Sequence, residues 1–173
     1  MCTFIVIIVS FCMAAPTFPL GAGLLNPLPQ TAETALYIPA LDVSSPITTF
    51  PLGFGTWDIN PWERNVGHFE GTAWDGHLGN IVIGGHSEYP SGVEAVFYDL
   101  DQLRFGDVIF LDIDGVRRRY FVTEVKAVDM YDLDPVRPTS DNRLTLITCD
   151  VPSYDPTTGI YDDRVVVIAH RFP

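Results

Sequence analysis

Apolar and polar positions alternate with a period of two over much of this chain, the spacing of a strand with one buried face. Asp107 to Asp112 alternates, Asp114-Gly115 follows as the residue pair of a tight turn, and Arg119 to Val128 alternates again. That sequence predicts a β-hairpin. Leu144 to Thr148 and Val165 to Ala169 are nearly continuous apolar runs, and Gly79 to Gly85 is a third apolar segment. Such runs are expected in the buried middle of a sheet. Only Val93 to Leu103 has another period, with Val96, Phe97, Leu100 and Leu103 at three- to four-residue spacing. It predicts a short helix. No repeat or low-complexity segment interrupts the pattern. The expected fold is mainly all-β, a closed or nearly closed barrel with one or two short helices.

The N-terminus reads differently. Glu33 is the first charged residue, and Ile5 to Phe11 is densely apolar. Pro16, Pro19, Pro27 and Pro29, with Gly21 and Gly23, make the following stretch a poor helix and a good linker. Residues 1–15 are therefore expected to be an apolar membrane anchor or signal segment, 16–34 a linker, and 35–173 the folded domain. No Lys or Arg precedes the apolar segment, as one would before an anchor. Bulky Phe11 before Cys12 argues against a lipoprotein site there.

Composition narrows the partners. A chain of 173 residues with 47% hydrophobic residues can build one core. A net charge of −12 opposes binding to nucleic acid or anionic lipid. Arg117-Arg118-Arg119 is the sole basic run, and alternation on a strand sends its members to opposite faces.

Candidate chemistry sits at strand ends. Cys149 closes the run Arg143-Leu-Thr-Leu-Ile-Thr-Cys149, His86 follows Gly84-Gly85, and Arg164 enters the run Val165 to Ala169. A thiol, an imidazole and a guanidinium are what cysteine-based acyl transfer needs: a nucleophile, a proton carrier and an oxyanion donor. A lone cysteine at a strand end also fits an inert small hydrophobe, although an unpaired thiol is unusual in an exported protein. For Arg164 the purely structural alternative is a salt bridge to Asp150, Asp162 or Asp163. Arg143 and Arg171 compete with it. His68, His77 and His170 read as surface or core histidines, because no pair has zinc-site spacing.

Several of these segments together resemble the sortases, membrane-anchored cysteine transpeptidases of bacterial surfaces. The resemblance runs from about Tyr37 to the C-terminus. Its carriers are Ile38-Pro39-Ala40-Leu41 with Pro46-Ile47, Gly79-Asn80 leading to Gly84-Gly85-His86, Phe97 to Leu103 with Gly106-Asp107, the Thr-Leu-Ile-Thr-Cys motif at 145–149, and Asp163-Arg164-Val-Val-Val. It implies an eight-stranded β-barrel with Cys149, His86 and Arg164 as catalytic residues, and Thr148 supporting the nucleophile or lining the substrate groove. It also implies Leu-Pro-x-Thr-Gly-like sorting peptides as substrates and an amine acceptor on cell-wall precursor or another surface protein. The domain would lie on the extracytoplasmic side of the cell membrane, held through the N-terminal segment, with no cofactor. Some sortases bind calcium through acidic clusters; Glu63, Glu70 and Asp75 are the candidates here, though solvated loop acids fit them better. Asn60-Pro61-Trp62 is similar to the Asp-Pro-aromatic lid of pilin-building sortases. It falls after the first strand motif rather than before it, and is expected to be a proline turn packed by Trp57 and Trp62. Two other readings stay open: a catalytically idle peptide-binding barrel, and a thiol peptidase that only hydrolyses.

Overall fold

The computed structural model describes residues 34–75 and 77–171. The expected anchor and nearly all of the linker lie outside the described residues. The strands are β1 (Ala35–Ile38), β2 (Val43–Phe50), β3 (Leu52–Gly53), β4 (Thr56–Trp57), β5 (Val66–Phe69) and β6 (Gly79–Gly84). After them come β7 (Val108–Ile113), β8 (Val116–Asp129), β9 (Asn142–Cys149), β10 (Tyr154–Asp155), β11 (Ile160–Tyr161) and β12 (Asp163–His170). Eight of them close a barrel in the order β1-β2-β5-β6-β9-β12-β8-β7, and β3–β4 and β10–β11 are small hairpins outside it. The barrel expected from the sequence is therefore present. Among the described residues, no helix is long and apolar enough to cross a membrane.

Local chemistry explains the elements. Asp114 and Gly115 take φ values of 51° and 77°, the left-handed pair that turns β7 tightly into β8. Alternation then sends Leu36, Ile38, Ile81, Ile83, Ile109, Leu111, Leu144, Leu146, Val165 and Val167 into one core cluster, nearly all fully buried. Truncating Leu146 to alanine there would cost about 2–5 kcal/mol. The near-continuous runs have a second cause: Val82 and Val166 are also buried, but on the outer wall, where Val82 joins Phe50 and Phe69 in a second cluster with Ile147 against it. The middle strands are covered on both faces.

The helix expected over Val93–Leu103 is not formed. A single 3-10 turn, Leu100–Gln102, stands there. Phe97, Leu100 and Leu103 are buried as their spacing implies. Their backbone is otherwise engaged: Ala95 N donates to Ser87 O at 2.8 Å and Phe97 N to His86 O at 3.0 Å. With its amides taken by the segment after β6, this stretch cannot build an i to i−4 ladder.

Two parallel pairs shape the outer wall. β2 pairs with β5 and β6 with β9 in parallel, whereas the other barrel neighbours are antiparallel. A parallel pair requires a crossover rather than a tight turn. Residues 51–65 make the first crossover and carry the β3–β4 hairpin; the second ends in residues 130–141. Residues of both crossovers line one cleft on the outside of the barrel.

Candidate active site

The floor of the cleft follows from register. Leu144 and Leu146 of β9 face the interior, so Ile147 and Cys149 face outward. Cys149 stands directly opposite Arg164 in the antiparallel β9–β12 ladder, which puts both side chains on one face. On the other side of β9, Gly84 of β6 pairs with Ile147, and Gly85 N donates to Ile147 O at 3.2 Å. His86 is the next residue. Cys149, His86 and Arg164 thus line a single cavity of about 350 Å³.

Two glycines make the approach to His86 feasible. A side chain at Gly84 would run into the Phe69 ring, and a Cβ at Gly85 would stand 2.8 Å from Phe97 Cδ2. The rest of the lining is largely apolar: Trp57, Ile59 and Phe69 on one wall, Leu133, Pro135 and Val136 on the other. Trp57 packs on Phe69 at 4.7 Å between ring centroids. The opposite wall is pinned by Asn80, whose Nδ2 donates to Pro135 O at 2.8 Å and Arg137 O at 3.1 Å. Thr145 Oγ1 donates to Asn80 Oδ1 at 2.6 Å. Two residues of the quoted motifs, Asn80 and Thr145, therefore hold the cleft's shape.

Electrostatics distinguish the three groups. Burial pushes the Cys149 thiol above its ordinary range, and the Arg164 charge pulls the other way. Arg164 Nη1 donates to Tyr161 O at 2.7 Å and Asp163 O at 2.9 Å. Those bonds account for both Nη1 hydrogens, leaving Nε and Nη2 as the donors it can present. The salt bridge to Asp150, Asp162 or Asp163 is not among the ion pairs of the described residues. His86 Nε2 lies 2.9 Å from Asn60 O. A carbonyl oxygen only accepts, so Nε2 carries the hydrogen in this arrangement.

The competing residues lie elsewhere. Arg143 pairs with His170 at the far end of β9 and donates from Nε to Thr145 Oγ1 at 3.0 Å; Arg171 follows β12 at that same end. His170 contacts Asp141 and Thr123, and His77 is exposed. His68 bonds Ala73 O and Thr72, and burial lowers its pKa. Thr148 lines the cavity with its hydroxyl buried and unpartnered, in step with Leu144 and Leu146.

The acids considered for calcium are separately engaged. Glu63 accepts from Asn65 N, Glu70 from Leu52 N, and Asp75 meets Arg118. Among the described residues, no three His, Cys, Asp or Glu side chains form a group that could hold a metal.

Asn60-Pro61-Trp62 differs from its expectation. Asn60 Oδ1 caps a turn by accepting from Trp62 N at 3.0 Å, but Trp62 is 62% exposed rather than packed. The contact of the Asn60 carbonyl with His86 was not legible, because every residue has a carbonyl.

Comparisons with known proteins bear on the family and the fold. The family model for the sortase domain matches residues 36–172. Sortase A of Staphylococcus aureus is 31% identical over 93 residues, covering 52% of this chain and 43% of the relative. Sortase A of Listeria monocytogenes is 34% identical over 76 residues, covering 43% of this chain and 33% of the relative. The aligned stretches thus span less than half the length of these curated relatives. Among solved structures, sortase C-1 from Actinomyces oris superposes with a TM-score of 0.66 at 26% identity, over 83% of this chain and 76% of that one.

Proposed function

The chain belongs to the sortase family, and we propose that it is a cysteine transpeptidase acting on an extended sorting peptide and an amine acceptor. The observation that carries the proposal is the cross-strand pairing of Cys149 with Arg164 in the cavity that also receives His86. An apolar cleft of this size suits two or three side chains of an extended peptide, in keeping with a Leu-Pro-x-Thr-Gly-like signal.

The steps follow from the groups. Cys149 gives its thiol proton to His86, and Sγ attacks the carbonyl carbon of the scissile bond as thiolate. Arg164 donates from Nε or Nη2 to the oxyanion as it develops. His86 gives its Nε2 proton to the leaving amine, the C–N bond breaks, and a thioester on Cys149 remains. The Asn60 carbonyl must first yield Nε2. An incoming amine attacks the thioester and loses a proton to His86; the C–S bond breaks, an amide forms, and His86 returns the proton to the departing thiolate. With the thiol pushed up by burial, the resting enzyme holds it protonated, and the thiolate is the minority form near neutrality. Thr148, beneath Cys149 and turned inward, supports the strand end. The N-terminal segment would hold the domain at the outer membrane surface, near exported peptides and cell-wall acceptors.

The test is a peptide-library cleavage assay with and without an amine nucleophile, read by mass spectrometry. Transpeptidation predicts an acyl-enzyme adduct on Cys149, and an amide product only when amine is present. Cys149→Ala should show neither. Cleavage that ignores added amine would favour a hydrolase, and adduct on the alanine variant would remove the nucleophile assignment.

A further inference from the structure

Tyr161 grips two sides of the cavity at once. Its hydroxyl donates to Glu88 Oε2 at 3.0 Å, two residues beyond His86. Its main-chain carbonyl accepts from Arg164 Nη1 at 2.7 Å. The Glu88 backbone is itself held in an antiparallel β-bridge with the backbone of Glu94, with Ser87 O accepting from Ala95 N at 2.8 Å. Tyr161 closes the β10–β11 hairpin opposite Tyr154, with ring centroids 5.0 Å apart. Burial, the hydrogen bond to Glu88 and the Glu88 charge push the phenol up to about 12. A donor that stays protonated facing an ionised carboxylate gives a charge-assisted bond.

We propose that Tyr161 is a positioning residue that sets the place of Arg164 relative to His86. Its carbonyl fixes one nitrogen of the guanidinium, so the location of Tyr161 decides where Nε and Nη2 point. Its hydroxyl fixes that location against the segment that carries His86. The oxyanion donor and the proton carrier are thereby brought to bear on one scissile bond, and small errors in such alignment are costly in rate. Tyr161 need not touch the peptide, since its polar groups are engaged by Glu88 and Arg164. The idea rests on the transpeptidase reading above.

Tyr161→Phe in the full chain removes the hydroxyl and little else. It should lower kcat on the order of tenfold with KM unchanged, the weight of one hydrogen bond to a charged group. Glu88→Gln keeps an acceptor oxygen and should retain most of the rate. In an Arg164→Ala background, Tyr161→Phe should cause no further loss, because the group it positions is gone. Hydrogen exchange should show protection falling together in residues 86–94 and 150–162 of Tyr161→Phe, with the melting temperature nearly unmoved. An unchanged kcat, an equal fold-loss in the Arg164→Ala background, or exchange that changes in one segment alone would overturn the proposal. A wild-type protein that turns over no peptide, yet loses protection in both segments on Tyr161→Phe, would support the clasp and overturn only the transpeptidase reading.

Discussion

The two ends of the barrel carry similar charged side chains and hold them differently. Near the β7–β8 turn, the basic side chains meet carboxylates. Arg117 forks onto Asp112 with Nε–Oδ1 and Nη2–Oδ2 distances of 2.8 and 2.7 Å, Arg118 meets Asp75, and His170 Nε2 stands 3.0 Å from Asp141 Oδ2. At the other end, Arg164 is preceded by Asp162 and Asp163, yet its hydrogen bonds go to two carbonyls. Likewise His86 Nε2 faces a carbonyl rather than a carboxylate. A carboxylate cancels the charge it orients, whereas a carbonyl dipole orients it and leaves the net charge in place. The difference teaches where chemistry can be sought: an arginine paired with a carboxylate has its charge neutralised, and one held by carbonyl dipoles keeps it.

The contrast is broken most directly with the histidines. His86→Ala should lower turnover by roughly 10²–10⁴, the usual weight of general acid–base catalysis. His170→Ala, at the other end, should leave turnover within about twofold of wild type, since it touches neither substrate nor the reacting atoms. Steady-state kinetics on a sorting peptide decide it. Near-normal turnover in His86→Ala would dissolve the distinction.

The arginines come next. Arg164→Lys should lose about 10²–10³ in kcat, because one ammonium cannot both grip the loop carbonyls and present a planar fork to the oxyanion. Arg117→Lys should be indistinguishable from wild type in the same assay. A fully active Arg164→Lys would reduce Arg164 to a generic charge.

A smaller effect sharpens the comparison without needing substrate. The pH profile of Cys149 alkylation should have its midpoint above the ordinary thiol range, as burial dictates. Arg164→Gln removes the charge that opposes burial and should move the midpoint further up; Arg117→Gln should not move it. A downward shift in Arg164→Gln would contradict the arrangement.

The smallest effect is on stability, and its signs are opposite at the two ends. Cys149 has a raised folded pKa, so its contribution is complete below the ordinary thiol value and is lost as pH rises through the folded value. Asp112 is held below the ordinary carboxylate range chiefly by its hydrogen bond to Arg117. Its contribution is complete above that range and is lost as pH falls through the folded value. Thermal melts against pH should show Cys149→Ala flattening the alkaline limb and Arg117→Ala flattening the acid limb. High salt should weaken the second more, because that pair is exposed.

Much of this was legible in the residues themselves. Cys149, His86 and Arg164 each stand beside a dense apolar run, and strand alternation already placed Arg118 on the opposite face from Arg117 and Arg119. Asp114-Gly115 announced its own turn. Val93 to Leu103 misled, because apolar spacing reports which side is buried and not whether the backbone amides are free to form a helix. Tyr161–Glu88 and Asn60–His86 were invisible, joining residues 73 and 26 apart in sequence, one of them through a carbonyl.

The sequence alone determined β6, β7, β8, β9 and β12, their inward and outward faces, the β7–β8 turn and the three chemical groups, because these depend on apolar runs, period-two alternation and residues adjacent in the chain. Only the tertiary structure decided which strand ends meet. Pairing β9 with β6 on one side and β12 on the other brings His86, Cys149 and Arg164 together at one barrel end and leaves Arg143 and His170 at the other. That register is set by closing all eight strands around one shared core, a condition no single segment carries.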